Sequence, residues 1–153
     1  LSKEMARLAA KRKNGGFYFV ANLKEIPVKS ESIDTAIHIF APFNAKEFAR
    51  ILKKSGRLYS VTAAPEHLFE LKKLVYETPY LNDENHPDGN GLQLISKQKI
   101  SRKALIPRED LKTLFSMTPY FYRTSERDRE KINVVDVLET TLSFTILEYK
   151  KEE

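Results

Sequence analysis

The sequence predicts an α/β fold with flanking helices: a parallel strand pair joined through a helix, then a C-terminal antiparallel strand pair. Three observations predict it. Residues 33–63 read as strand, helix and strand, the pattern of a right-handed βαβ crossover. Elsewhere the apolar period switches between two and 3.6 residues, so strands and helices alternate. The last strong pattern, residues 140–149, alternates cleanly, with Leu142, Phe144 and Ile146 on one face.

In chain order, residues 1–13 (LSKEMARLAAKRK) read as a helix capped by Ser2, with Met5, Leu8 and Ala9 on one face. Gly15-Gly16 ends it, and the aromatic-rich run 17–21 (FYFVA) reads as a strand. A polar loop spans 22–32. Residues 33–40 form a nearly continuous apolar run, as in a strand buried on both faces, and Ala41-Pro42 stops it. Asn44 offers an N-cap with Glu47 as its capping-box partner. Ala45, Phe48, Ala49, Ile51 and Leu52 then make one helical stripe. Lys53 and Lys54 suit the negative end of that helix, and Gly56 suits a left-handed C-cap.

Residues 57–63 read as the second strand, closed by Ala64-Pro65. Residues 65–76 read as a helix with Leu68, Leu71, Leu74 and Val75 inward and Pro65 in its first turn. The polar stretch 77–91 is a long loop, either functional or simply a mobile surface. A strand at 92–100 and a helix at 107–117, with Leu111, Leu114 and Phe115 inward, follow. Residues 118–123 are an aromatic connection and 124–131 a short charged helix or turn. The strand at 140–149 is expected to pair antiparallel with 92–100. No repeat, linker or second domain is visible, so 1–153 reads as a single domain.

Composition narrows the class. Of 153 residues, 41% are apolar and 31% charged, which is ordinary for a globular domain with a core. No apolar run reaches the roughly 20 residues needed to cross a bilayer. The chain has no cysteine, which excludes disulfides and thiolate metal sites and suits a reducing, cytoplasmic setting. The net charge of +5 fits either a polyanionic partner or plain solubility, because 21 acidic residues are interspersed with 26 basic ones. No glycine-rich phosphate loop, nucleophile elbow or diagnostic carboxylate pair is present.

Ligands in parallel sheets sit beyond the carboxyl ends of the strands, which here means residues 40–43 and 64–67. His67 is either a ligand-facing histidine at a helix start or a surface one. His38, inside the first strand, reads as a satisfied core histidine, and His86 as an exposed loop residue. Three such dispersed histidines make no zinc site. Asn22, just after a strand, is a turn residue or a ligand contact. Tyr120, Phe121, Tyr122 and Arg123 either stack on unpaired bases or divide between core and surface.

Three segments carry a family resemblance: LSKEMARLAAKR at 1–12, IHIFAPFNAKEFARILKKSGRLYSVTAAPEHLFELKKLVY at 37–76, and MTPYFYR at 117–123. They resemble the 23S ribosomal RNA (guanine-N1-)-methyltransferases, S-adenosylmethionine-dependent enzymes of the Rossmann-like class I type. The resemblance implies methylation of guanine N1 in a 23S rRNA hairpin. It implies cofactor contacts from His67 of the P-x-H-L segment, from Asn22 and Leu23 beside the adenine, and from Ala41 and Pro42 beside the methyl group. The basic surface and Tyr120, Tyr122 and Arg123 are then candidates for RNA contact.

The departures matter as much. The family's zinc module needs four cysteines, so zinc is expected only in an N-terminal module outside this chain. The glycine-rich cofactor loop and the first two strands of the family sheet are also missing. The expectation is a C-terminal portion of a methyltransferase catalytic domain, a fragment inactive alone. The missing strands would lie between those at 17–21 and 33–40, so these either close up or leave edges open to self-association. The alternative from another class is a non-catalytic α/β module that binds RNA or protein.

Overall fold

A computed structural model describes residues 3–12, 15–84 and 89–152. His86 and the Ser2 cap lie outside the described residues. Helix α1 (Lys3–Ala10) is followed by β1 (Ile33–Ile39), α2 (Ala45–Ile51), β2 (Leu52–Ala63), α3 (Phe69–Val75), β3 (Leu92–Pro107), α4 (Arg108–Ser116), α5 (Glu126–Glu130) and β4 (Val137–Lys151). Short 3-10 turns occupy Phe121–Arg123 and Lys131–Val134. The four strands make one sheet in the order β1, β2, β4, β3. β1 runs parallel to β2, and β4 inserts antiparallel between β2 and β3. The α/β class, the βαβ unit and the antiparallel closing pair are therefore as the sequence predicts.

Two apolar cores hold the sheet. In the first, Phe48, Ala49 and Ile51 of α2 pack with Leu52 and Leu58 of β2, Leu92 of β3, and Leu147 and Tyr149 of β4. In the second, Leu68 and the α3 residues Leu71 and Val75 meet Leu111 and Phe115 of α4, together with Tyr120 and Ile132. Each fully buried leucine contributes roughly 1.5–3 kcal/mol relative to its exposed state. The two cores lie under the two segments of interest, 40–43 and 64–68.

Five local expectations need correction. Residues 17–21 form no strand: Phe17 is 96% exposed and Phe19 53%, so their aromatic content has no sheet to pack on. β1 is an edge strand rather than one buried on both faces, with Ile37 and Ile39 mostly exposed. Gly56 does not cap α2 in the left-handed region. The chain turns straight into β2 at Leu52, putting Lys53 and Lys54 on a strand. Gly56 is instead a close-approach site, where a Cβ would come within 3.0 Å of the Ile33 and Lys53 carbonyl oxygens. Glu47 does not close a capping box. Asn44 caps α2 through the Glu47 N–H, but the Glu47 carboxylate reaches away, to Arg50 and to the Ile26 N–H. Finally, α3 starts at Phe69 and not at Pro65, because Leu68 takes φ 55° and residues 65–68 form turns.

β3 and β4 are longer than their apolar alternation suggests. They pair residue against residue from Leu92 with Lys151 to Pro107 with Val137, with one irregularity at Leu94/Ser96. Backbone pairing extends both strands past their alternating cores.

Candidate functional site

The residues that follow β1 and β2 converge on a cavity of about 450 Å³, within the range of small-molecule pockets. Its wall is made by Phe40, Ala63, His67, Leu68 and Asn82, with Leu114, Met117, Thr118, Pro119 and Tyr120 opposite. Two of these have backbones in the left-handed region, Phe40 at φ 46° and Leu68 at φ 55°. Such residues carry roughly 1–3 kcal/mol of strain each and concentrate at functional sites. The turn at Phe40 is held by its N–H donating to the Val61 carbonyl, 3.1 Å away.

Beneath the cavity lies a clamp centred on Asn82. Its Nδ2 donates to the carbonyls of Ala64, Pro65 and His67, at 3.0–3.3 Å, and so fixes the turn after β2. Its Oδ1 accepts from Lys72 Nζ at 2.8 Å and from the Tyr120 hydroxyl at 3.1 Å. Lys72 is fully buried, donates also to the Tyr80 carbonyl, and lies 4.1 Å and 4.9 Å from the centroids of the Tyr80 and Tyr120 rings. Burial holds its pKa below the ordinary lysine value, and burial pushes the Tyr120 phenol up to about 12. One amide thus joins α3, the 64–67 turn and the 117–120 segment. Nothing in the polar run 77–91 distinguishes Asn82 beforehand, and nothing in the helical pattern of residues 65–76 singles out Lys72.

His67 sits on the turn after β2, between aromatic rings: its centroid is 4.8 Å from Phe144 and 5.7 Å from Phe40. Its Nδ1 accepts the Ser143 N–H at 3.2 Å. Its position differs from the helix start expected of it, because the short helix α3 begins two residues later. Burial lowers its pKa, partly opposed by the Ser143 bond. His38 is buried, as expected, with Nδ1 on Ser60 Oγ at 2.8 Å and Nε2 donating to the Ala41 and Pro42 carbonyls at 2.9 and 3.2 Å. Those two carbonyls are therefore already bonded.

Asn22 and Leu23 lie elsewhere, in the loop that packs on α2, and do not line the cavity. Asn22 is exposed, and its Oδ1 accepts the Lys24 N–H. Leu23 packs against the first core, and its carbonyl accepts from Asn44 Nδ2. The same loop is tied down by Arg50, which donates to the carbonyls of Ile26 and Val28. Glu47, bonded to Arg50 and the Ile26 N–H, is held at a pKa of about 2. A second hollow of about 670 Å³ lies here, but its charged pair is spent on backbone groups.

Of the aromatic connection, Tyr120 is buried as a cavity wall. Tyr122 is 81% exposed, and Met117 beside the cavity is 80% exposed. Arg129 stacks over Phe121 and donates to the Phe121 and Thr124 carbonyls, which braces the segment from below. Among the described residues no group of histidine, aspartate and glutamate side chains is arranged to hold a metal. No described helix is long and apolar enough to cross a membrane.

No protein-family model matches the chain. A Bacillus subtilis protein provisionally named 23S rRNA (guanine-N(1)-)-methyltransferase YxjB is 33% identical over 76 residues, half of this chain and 27% of that protein. A Micromonospora griseorubida protein with the same provisional assignment is 39% identical over 46 residues, 30% of this chain and 16% of that protein. The matched stretches thus span less than a third of either relative. A crystal structure of a provisionally assigned methyltransferase from Bacillus halodurans superposes with a TM-score of 0.56 at 15% identity, covering all of this chain and 81% of that one. An S-adenosylmethionine-dependent methyltransferase from Thermotoga maritima gives 0.53 at 18% identity, covering 99% and 70%. The chain therefore has the fold of the Rossmann-like class I methyltransferases, whose methyl donor is S-adenosylmethionine, and part of its sequence resembles the 23S rRNA (guanine-N1-)-methyltransferases.

Proposed function

We propose that the protein containing this chain methylates N1 of a guanine in a 23S rRNA hairpin in the cytoplasm, and that this chain builds the acceptor side of its site. The observation that carries the reading is the cavity at the ends of β1 and β2. It is walled by aromatic and apolar side chains, with His67 on one side and the exposed Met117 at its mouth. Such a cleft suits a flat base taken out of an RNA loop. The names of the matched relatives point the same way.

When bound, S-adenosylmethionine supplies an electrophilic methyl group. In this reading Asn22 and Leu23 meet its adenine, and Ala41 and Pro42 lie beside its methyl group. Phe40, Tyr120 and the Asn82 clamp orient the base, so that catalysis comes mostly from proximity and orientation. Tyr122 and Arg123 meet the RNA around the target, and the net charge of +5 favours that encounter. The unpaired edge of β1 is the place where a further strand, or a second copy, adds to the sheet.

The direct test is nucleoside mass spectrometry of 23S rRNA from a strain lacking the gene. One N1-methylguanosine disappears and returns on complementation. Retention of every N1-methylguanosine refutes the reading; if the protein then still binds the rRNA, it acts as a non-catalytic RNA-binding module. Purified residues 1–153 are expected to bind S-adenosylmethionine weakly and to leave a 23S hairpin unmethylated. Methylation by this piece alone would overturn that expectation.

A further inference from the structure

His67 is set apart from the other polar side chains of the cavity. Asn82 has both ends of its amide engaged, the Thr118 hydroxyl donates to the Phe115 carbonyl, and the Tyr120 hydroxyl donates to Asn82. At His67 the Ser143 backbone N–H lies 3.2 Å from Nδ1. A backbone amide only donates, so Nδ1 must offer its lone pair, and the proton of the neutral ring sits on Nε2. Burial, which lowers the pKa, keeps the ring neutral at pH 7. Nε2 has no partner among the described residues. The cavity therefore offers one uncommitted side-chain N–H, in an aromatic setting between Phe40 and Phe144.

Resting on the guanine reading above, we infer that His67 Nε2–H receives the carbonyl oxygen adjacent to the ring nitrogen that is methylated, and so selects guanine over adenine. Guanine presents a carbonyl, O6, beside N1. Adenine presents an amino group there, which would set donor against donor. In the reaction N1 bonds to the methyl carbon as the carbon–sulfur bond breaks. The electron pair of that bond stays on sulfur, and the N1 proton passes to water. As that proton leaves, negative charge gathers on O6, where a positioned N–H stabilises it. This role replaces the cofactor contact that the family resemblance implies for His67.

The test uses the full-length protein and hairpins whose target guanosine is kept, replaced by inosine, which retains O6, or replaced by 2-aminopurine, which lacks it. His67→Phe keeps an aromatic ring and removes the donor. It should lower kcat/KM on the guanosine hairpin by about 100-fold, the usual effect of losing one charge-stabilising donor, with the KM for S-adenosylmethionine unchanged. His67→Gln, which restores an N–H, should recover part of the loss. Wild type should bind the inosine hairpin more tightly than the 2-aminopurine hairpin, and His67→Phe should bind both alike. In 15N-histidine spectra of the wild type, the Nε2 signal should move with the guanosine hairpin and not with the 2-aminopurine one. A rise in the KM for S-adenosylmethionine with unchanged kcat/KM for RNA would overturn the inference and return His67 to the cofactor. So would a wild type that binds the inosine and 2-aminopurine hairpins equally. If wild type methylates no hairpin, the guanine reading fails, while the binding and 15N arms still decide what His67 recognises.

Discussion

The turn after β1 and the turn after β2 are built alike and used differently. Each has a left-handed residue, Phe40 in one and Leu68 in the other, and each is held by a histidine protonated on Nε2. His38 spends that proton on the Ala41 and Pro42 carbonyls and its other nitrogen on Ser60. His67 spends only Nδ1. The ring at 38 closes a turn; the ring at 67 closes a turn and keeps one N–H in hand. Which of two histidines is available for chemistry is thus set by the bookkeeping of ring nitrogens, not by how near each lies to a strand end.

The comparison breaks most visibly at His38. His38→Ala removes a buried ring packed on Phe43 and Phe48 and strands Ser60 Oγ and two carbonyls. It should cost about 2–4 kcal/mol, the sum of a core truncation and lost buried hydrogen bonds. His67→Ala, with one bond and a half-buried ring, should cost about 1 kcal/mol. Urea unfolding of both variants measures the gap, and equal losses would dissolve the distinction. Asn82→Ala comes next, at about 1–3 kcal/mol, because it leaves Lys72 without one of its acceptors and frees the 64–67 turn. Its diagnostic is faster amide exchange at His67 and Leu68 with little change at Phe40, whose N–H is bonded to the Val61 carbonyl. Loss of protection at both turns alike would show that they are not held separately.

The smallest effect is a pH dependence. The His67 pKa is lowered in the folded state, so the unfolded chain takes up the proton more readily once pH falls below 6.5. Stability should therefore fall as pH drops from 7 through the 6.5 value towards the lowered one, and His67→Gln should remove that part of the slope. Unchanged slopes between pH 7 and 5 in wild type and variant would show that the ring titrates alike folded and unfolded. The Glu47 carboxylate behaves in the opposite region. It stays ionised down to about pH 2, so the 22–32 loop should keep its protection above pH 4.5 and lose it as pH falls towards 2.

Much of this architecture is legible in the sequence, and the reasons for the misses are specific. The stripe of Phe48, Ala49, Ile51 and Leu52 dictates burial whatever its surroundings, so the βαβ unit and its order can be read directly. The run 17–21 misleads because strand propensity expresses a fit to neighbouring strands, and these residues have no sheet beside them. Gly56 misleads because two different physical needs, a positive φ and a close backbone approach, select the same residue. The strand ends and His67 can be found from topology. Asn82 and Lys72 cannot, because their value lies in hydrogen-bond partners 8 to 38 positions away.

The burial of Lys72 gives the molecule a built-in reporter. Its amine is sealed beneath Tyr80 and Tyr120 while other lysines of the chain, such as Lys53, Lys97 and Lys103, remain reachable from solvent. An amine-reactive reagent should label those quickly and Lys72 only when the clamp at Asn82 opens. The labelling rate of this one side chain, followed by peptide mass spectrometry, becomes a clock for how often the floor of the cavity comes apart.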